Sequence, residues 1–333
     1  MRDFSAKPKK KRDDVKEYIL LILLLSFAIT LAASGKGAEF ALGGIKLWAA
    51  AILPALFPYF FISAALGKLG ITEKTALGLS PLMLRAFNLP GIVSYALFTS
   101  LVSGFPVGAK IVSDLKNNDL ITETESVRAS ALCSTASPAF VICGIGAAFS
   151  SARFGIALFF THFFSSIIIG IIFSFYKRKE KPAKKAREKA ENRKTADNIL
   201  YECAYSAVIS VLVVGGIITV FYVVTELLSL IGALTPIVGA LTALTGDESA
   251  AKGLVFGMFE CTKGIYALKA AGATKTAFVL AAAIIGFGGL SVIFQSLAYL
   301  KSAKIKTAPF ILSKILGAAV NAMLAFVIYP LFF

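Results

Sequence analysis

The chain has 333 residues, of which 57% are hydrophobic, and its mean hydropathy is +0.79. Such a composition leaves too much apolar surface for a soluble enzyme, so it predicts an α-helical membrane protein. The formal net charge of +15 does not indicate nucleic-acid binding, because the basic residues cluster beside long apolar runs, in 1–17 and 177–198. Lys and Arg placed in this way mark the cytoplasmic face and contact anionic lipid headgroups.

The first apolar run, 18–33, directly follows the basic tail. We interpret 1–17 as a cytoplasmic tail and 18–34 as an uncleaved first transmembrane helix, with a cleaved signal peptide as the alternative.

Four more apolar runs precede the basic loop 177–198, at 47–67, 90–109, 129–152 and 154–176. If every run crossed the bilayer, the basic tail and the basic loop would lie on opposite faces, against the positive-inside rule. The run 90–109 ends in Ser103-Gly104-Phe105-Pro106-Val107-Gly108-Ala109-Lys110, where glycine and proline would break a helix. We therefore predict a re-entrant hairpin over 95–115, with its tip near 104–108.

The chain after the basic loop repeats this order of parts. We expect 203–225 to cross, 227–246 to lie at the surface, 253–268 to form a second re-entrant hairpin, and 276–300 to cross with a soft middle. The counterparts in the first half are 47–67, 72–88, 95–115 and 129–152. Gly108 and Gly264 are expected at the two hairpin tips, because a tight reversal leaves no room for a bulky side chain.

A final helix closes each half, so the first unit starts outside and the second starts inside. The predicted fold is an all-α polytopic membrane protein with an inverted-topology repeat, about seven transmembrane helices and two re-entrant hairpins. Repeat 1 covers 46–176, repeat 2 covers 199–333, and Phe333 is expected outside.

The broken segments supply the candidate substrate-binding and ion-binding residues, because this architecture holds its cargo at the midplane. Half-helix N-termini favour anionic groups, whereas freed carbonyls and hydroxyls coordinate cations. Close helix packing is the alternative role for the glycines and serines. The candidates are Ser103, Gly104, Phe105, Pro106, Gly108, Lys110, Ser134, Thr135, Ser137, Glu260, Thr262, Lys263, Gly264, Gly288, Gly289, Ser291 and Gln295.

Glu260 is the leading candidate, because an ionisable residue at membrane depth is costly and usually faces a cavity or a partner. Lys263 lies three residues later and could simply neutralise it on one helix face. Lys110 has snorkelling as its alternative role. His162, the single histidine, is either a proton carrier or, as we favour, a hydrogen-bonded packing residue.

The four cysteines, Cys133, Cys143, Cys203 and Cys261, show no CxxC spacing and no neighbouring histidine cluster. We expect neither a disulfide framework nor a metal site, and no cofactor. The sequence also lacks HExxH, GxSxG and P-loop motifs, so no enzymatic activity is predicted.

Four blocks resemble the YlbJ-type sporulation integral membrane proteins, and the resemblance runs from about Leu47 to the C-terminus. They are Leu53-Pro54-Ala55-Leu56-Phe57-Pro58-Tyr59-Phe60, the Ser103–Lys110 block above, Gly257-Met258-Phe259-Glu260-Cys261-Thr262-Lys263-Gly264, and Gly286-Phe287-Gly288-Gly289-Leu290-Ser291. The resemblance implies a nucleoside-recognition or Gate domain, similar to the cation-coupled concentrative nucleoside transporters, in which two hairpin tips flank the substrate.

The resemblance also implies a link to endospore formation and to export of dipicolinate from the mother cell. Dipicolinate is a planar dianion that Lys110 and Lys263 would help to hold. Ser134-Thr135-Ala136-Ser137-Pro138 departs from the family pattern, in which asparagines precede the proline.

We therefore expect a secondary transporter of the bacterial cytoplasmic membrane that moves a small polar or anionic solute, coupled to Na⁺ or H⁺. Dipicolinate export and nucleoside-like transport are the two versions, and a homo-oligomer is compatible with either. A channel and a non-transporting membrane scaffold for spore assembly are the alternatives.

Overall fold

The computed structural model of the chain describes residues 11–68, 71–180 and 198–333. Within these ranges the secondary structure is helical, and no strand occurs. Most of the predicted basic tail and most of the predicted basic loop, 1–10 and 181–197, lie outside the described residues.

Sixteen α-helices occur in the described ranges, and two π-helical stretches, Trp48–Ile52 and Ala139–Ile145, connect some of them. The helices are α1 (Lys11–Ala33), α2 (Gly37–Leu47), α3 (Leu53–Lys68), α4 (Ile71–Phe87), α5 (Val93–Ser103), α6 (Val107–Asn117), α7 (Glu123–Leu132), α8 (Gly146–Ala148), α9 (Ala152–Ser174), α10 (Ile199–Leu230), α11 (Thr235–Thr245), α12 (Glu248–Phe259), α13 (Cys261–Leu268), α14 (Lys275–Phe287), α15 (Gly289–Ser302) and α16 (Thr307–Phe332).

Five helical stretches in the described ranges are long and apolar enough to span a bilayer. They are Gly37–Leu66, Ala152–Ser174, Ile199–Leu230, Lys275–Ser302 and Thr307–Phe332. The helix α1 and the interrupted helix formed by α7, Ala139–Ile145 and α8 complete the seven predicted crossings. The expected polytopic all-α fold is therefore confirmed.

Two predicted boundaries are wrong. The first span of repeat 1 begins at Gly37 rather than at 47, because α2 continues through the π-helical stretch into α3. Its glycines let α10 approach closely, since a Cβ built on Gly44 would lie 2.9 Å from Thr219 Cα. The helix α10 runs to Leu230, so the surface segment predicted at 227–246 is shortened to α11.

Both predicted re-entrant hairpins are present, as α5 with α6 and as α12 with α13. The first hairpin turns at 104–106, between α5 and α6, and the second turns at Glu260. Gly108 and Gly264 were expected at the tips, but both lie inside the returning helices, where they pack against neighbouring backbone.

The hairpins enter from opposite faces of the molecule. Near the base of the first hairpin, Lys306 Nζ lies 3.5 Å from Glu123 Oε1, and Arg128 Nη2 donates to the carbonyl of Tyr176 (2.7 Å). Near the base of the second, Tyr329 Oη donates to the carbonyl of Ala273 (3.3 Å). Since α16 runs from Lys306 to beyond Tyr329, the two bases are a full helix length apart, as an inverted repeat requires.

We call the face that carries Arg128, Lys177 and Lys306 the basic face, and the end that carries Phe333 the opposite face. On the basic face, hydrogen bonds from Lys177 and Thr124 lower the pKa of Glu180 below its ordinary value. On the opposite face, the guanidinium of Arg153 lies 5.5 Å from the Phe333 ring centroid. The two ends of α9 therefore lie on opposite faces.

Two hydrophobic clusters form most of the core, one around each hairpin. The first includes Val112, Leu115 and Leu132, and the second includes Phe154, Ile265 and Phe278. All six side chains are buried, so each hairpin is held by apolar packing along its length rather than only at its tip.

Candidate functional site

The tip of the first hairpin lies against the break in the helix that follows it. Gly104 has φ 78°, a conformation that favours glycine, and a Cβ built there would lie 2.8 Å from Ser137 N. Ser137 belongs to the non-helical segment 133–137, which separates α7 from the π-helical stretch Ala139–Ile145. Residue 104 must therefore be glycine for the hairpin tip to lie this close to Ser137.

The second repeat makes the corresponding contact. The helix α14 ends at Phe287, and the next two residues, Gly288 and Gly289, have φ of 82° and 77°. A Cβ built on Gly289 would lie 3.0 Å from Cys261 N and 3.0 Å from the carbonyl oxygen of Gly257. Each hairpin tip thus packs on the helix break of its own repeat.

The two tips and the two breaks border one cavity of about 50 Å³. One wall is apolar and includes Leu56, Val214 and Ile218 from the spanning helices α3 and α10. The other side is formed by candidates that the sequence predicted: Gly104 and Phe105, and the polar residues Ser137, Glu260, Thr262, Ser291 and Gln295.

Three helical N-termini border the same cavity. Thr262 lies in the first turn of α13, Ser291 lies in the first turn of α15, and Ser137 precedes the π-helical stretch Ala139–Ile145. Helix N-termini carry unpaired N–H groups and a partial positive charge, so this side of the cavity favours hydrogen-bond acceptors or anionic groups. The hydroxyl of Ser291 is fully buried and has no hydrogen-bond partner among the described residues, which leaves it available to a ligand.

Glu260 has two roles at the second tip. Its side chain is 2% exposed and caps the N-terminus of α13, where Oε2 accepts a hydrogen bond of 2.6 Å from Lys263 N. The same residue also lines the cavity. The cap compensates part of the cost of burying a carboxylate, because the helix N-terminus attracts negative charge.

Lys263 does not pair with Glu260 through its side chain, contrary to the alternative that the sequence suggested. Its Nζ lies 3.0 Å from Glu226 Oε1 of α10, an ion pair rather than a well-aligned hydrogen bond. The ammonium also lies 4.4 Å from the Tyr222 ring centroid and 4.8 Å from the Phe256 ring centroid. Lys263 lines a separate groove toward the opposite face, together with Lys46, and does not line the central cavity.

Several predicted residues support the breaks without lining the cavity. The Ser103 hydroxyl is hydrogen-bonded to the Ser63 hydroxyl. Thr135 Oγ1 donates to Ser100 Oγ at 3.2 Å. Gly108 packs against the carbonyl of Cys133, so its role is close packing at the break.

A second cavity, of about 380 Å³, adjoins the central one on the side of the basic face. Pro106 and Lys110 line it with residues near the end of α15, including Ser302. Val214 and Gln295 line both cavities, so they separate the central cavity from this vestibule. Lys110 therefore lies at the entrance rather than in the central cavity.

His162 is buried and has hydrogen bonds at both ring nitrogens. Nε2 accepts from Ala136 N at 2.9 Å, so the proton of the neutral ring lies on Nδ1, which faces Asn321 Oδ1 at 3.3 Å. Asn321 in turn donates to Ser165 Oγ at 2.7 Å. This network favours the packing role over the proton-carrier role.

Lys314, a residue that the sequence reasoning missed, lies beside the first break. It is 3% exposed in the middle of α16, and its Nζ donates to Ser134 Oγ at 3.2 Å. The rule that singled out Glu260, a charge within an apolar segment, would also have found it in 307–332.

No family model matches the chain, but a bacterial membrane protein and several solved transporter structures are similar to it. The chain is 27% identical to the sporulation integral membrane protein YlbJ of Bacillus subtilis (strain 168), over 93% of this chain and 83% of that protein.

Solved structures of the concentrative nucleoside transporter CNTnw share the fold. A variant in an outward-facing state has a TM-score of 0.55 at 18% identity, over 96% of this chain and 85% of that one. The same transporter in an inward-facing substrate-bound state has a TM-score of 0.53 at 15% identity, with the same coverage. The chain is thus a multi-pass helical membrane protein that is similar to YlbJ of B. subtilis and has the fold of the concentrative nucleoside transporters.

Proposed function

We propose that the chain is a secondary transporter that carries a small polar or anionic solute through the central cavity. The supporting observation is the meeting of two hairpin tips and two helix breaks at that cavity. Interrupted helices from an inverted repeat are typical of a midplane substrate site, because broken backbone at membrane depth must be buried in protein or line a cavity.

One-sided access favours a transporter over a channel. The vestibule on the basic face shares Val214 and Gln295 with the central cavity. The groove on the opposite face, which contains Lys46 and Lys263, shares no lining residue with it in the described part of the chain. A cavity that is approached from one face suits alternating access, in which a gated site opens to each face in turn.

The groups that line the cavity suit a flat ring that carries hydrogen-bond acceptors. Phe105, Phe140 and Val214 offer apolar surface, and Ser291 and the helix N-termini offer donors. Nucleosides and dipicolinate both fit this description. Since neither Lys nor Arg is among the described residues that line the cavity, an uncharged ring fits this state better than a dianion.

The proposed setting is the cytoplasmic membrane of a spore-forming cell, in keeping with the name of the B. subtilis relative. An ion gradient would drive accumulation. The basic face would lie in the cytoplasm, which makes the observed state inward-facing.

Uptake into proteoliposomes of radiolabelled uridine and dipicolinate, each under Na⁺ and H⁺ gradients, tests the proposal. We expect saturable uptake of one of them, and a loss of about tenfold or more in Glu260→Gln, equivalent to about 1.4 kcal/mol. The amide oxygen of Gln still accepts from Lys263 N, so the cap is kept while the negative charge in the cavity is lost.

Glu248→Gln is the matched control. It makes the same chemical change on α12 of the same hairpin, where Glu248 is exposed and its side chain pairs with Lys252 at 2.8 Å. Its uptake should stay within about twofold of the wild type, because exposed ion pairs contribute little. Wild-type uptake by Glu260→Gln would remove the cavity from the route, and flux that does not saturate would favour a channel. Absence of uptake of any solute tried, with normal spore assembly in Glu260→Gln cells, would favour the scaffold.

A further inference from the structure

Lys314 lies where the interrupted segments of both repeats meet. Its ammonium donates to Ser134 Oγ of the first break at 3.2 Å and lies 4.5 Å from the ring centroid of Phe105 at the first tip. A Cβ built on Gly288, in the second break, would lie 3.5 Å from Lys314 Cε. One side chain therefore contacts a hairpin tip and both helix breaks.

Both breaks beside this ammonium directly follow helix C-termini. The helix α7 ends at Leu132, two residues before Ser134, and α14 ends at Phe287, directly before Gly288. Carbonyl groups at helix C-termini lack intrahelical partners and carry a partial negative charge, so they favour a cation. The central cavity, by contrast, borders helix N-termini.

No carboxylate neutralises Lys314. None of the ion pairs among the described residues includes it. His162 on α9 lines the same small cavity as Lys314, and its Nε2 is occupied by a backbone N–H. Cys261 at the second tip is the other titratable group that interacts with Lys314. Glu260, beside Cys261, is committed to the cap of α13. The charge is therefore held by a hydroxyl, an aromatic face and helix ends.

In transporters built from inverted repeats, unwound backbone and half-helix C-terminal ends bind the coupling Na⁺. Lys314 places its ammonium beside two helix breaks of this kind. We propose that Lys314 is a built-in cation: its ammonium takes the place that a bound metal ion would occupy, joins the first hairpin tip to both breaks, and makes the protein independent of Na⁺. This inference rests on the proposed transport function, because it concerns which cation that transport requires.

Thermal unfolding of the purified full-length protein tests this without any transport assay. The wild type is compared in NaCl and in choline chloride at equal ionic strength, and we expect the two melting temperatures to agree within about 1 °C. A specific stabilisation of the wild type by Na⁺ of several degrees would show a separate sodium site and overturn the inference.

The second experiment removes the Lys314 ammonium by mutation and then supplies a free cation in its place. Lys314→Ala should melt several degrees lower in choline, and ethylammonium or Na⁺ at about 0.1 M should raise its melting temperature by about 2 °C or more. Lys301→Ala, which removes an exposed lysine at the end of α15, should melt as the wild type does and respond to neither cation. Lys314→Ala that responds to neither cation would also overturn the inference.

If Lys314→Ala does not yield folded protein, Lys314→Arg and Lys314→Met replace it. The inference requires that Arg, which keeps the charge, gives folded protein and that Met, which keeps only the length, lowers the melting temperature. Met that melts as the wild type does would contradict it. Failure of the solute uptake assays would remove the proposed function but leave these cation measurements unchanged, so the two failures are distinguishable.

Discussion

Glu260 and Lys314 are both charged residues at membrane depth, and the structure accommodates them in complementary ways. Glu260 caps the N-terminus of α13, whereas Lys314 lies beside the C-terminal ends of α7 and α14. Because the helix dipole is positive at the first end and negative at the second, each charge is compensated by backbone as well as by side chains. Charge placement in this protein therefore follows the direction of the interrupted helices.

The ion pair between Lys263 and Glu226 can be tested by a double-mutant cycle. Lys263→Met leaves Glu226 without its ammonium, so the free energy of unfolding should fall by about 1–3 kcal/mol. The double variant Lys263→Met/Glu226→Gln should recover most of that loss, because no charge is then left unpaired. Thermal unfolding of the two single variants and the double variant measures the coupling.

The sequence had instead suggested Glu260 as the partner of Lys263, and that pairing supplies the control. Lys263→Met/Glu260→Gln should be no more stable than the sum of its two single changes predicts, since Glu260 bonds to the backbone of Lys263 rather than to its ammonium. Recovery in this pair, and not in the pair with Glu226, would contradict the observed geometry.

Among the structural elements, the two hairpins depend on glycine for their packing. In the second hairpin, Gly264 on the returning helix meets Gly257 on the outgoing one, and Gly253 faces Leu268 one turn further on. In the first hairpin, Gly108 meets Cys133 of the neighbouring break and Ser100 of the outgoing helix. The absence of side chains lets the backbones approach and fixes each tip against its own break.

Gly108→Leu and Gly264→Leu should therefore prevent correct folding rather than only stop transport. A Cβ at either position would overlap backbone atoms, of Cys133 and Gly257 respectively, and overpacking of this kind cannot relax by a rotamer change. Gly239→Leu on α11 is the control, because nothing lies within 4 Å of a Cβ there. Size-exclusion profiles and melting temperatures report the outcome, and monodisperse Gly108→Leu protein with a normal melting temperature would contradict the packing role.

For the whole molecule, the two faces carry different chemistry. The ends of α9 and α15 and the start of α16 lie at the basic face, where Lys306 contacts Glu123, whereas the base of the second hairpin lies at the opposite face. The positive-inside rule therefore predicts that the basic face lies in the cytoplasm and Phe333 outside. Ala183, the labelling position that the basic loop suggests, lies outside the described residues, so other positions serve the test better.

In a Cys143→Ser background, which removes the exposed native thiol, single cysteines at Ser302 and Ala273 should label from opposite sides. Both positions are exposed, the first at the end of α15 and the second at the base of the second hairpin. We expect a membrane-impermeant maleimide to reach Ser302→Cys only from the cytoplasm and Ala273→Cys only from outside. Labelling of both from the same side of intact cells would contradict the inverted topology.

The sequence by itself determined the membrane class, both hairpins and the pairing of equivalent parts between the two halves. These follow from local signals, since glycine and proline break helices where they stand and the bilayer fixes how much apolar chain is needed to cross. It also gave Glu260 and Ser291 as candidate binding residues, and both line the central cavity. A charge or a hydroxyl beside a helix break is visible in one short stretch of sequence.

Only the tertiary structure decided which residues serve each other across the fold. Lys314 and Ser134 are 180 residues apart, and Lys263 finds its partner on a different helix. Helix packing sets such contacts, and no local spacing records them. For the same reason the sequence placed Gly108 and Gly264 at the tips: a glycine that permits a turn and a glycine that permits close packing are the same letter, and only the neighbouring backbone distinguishes them.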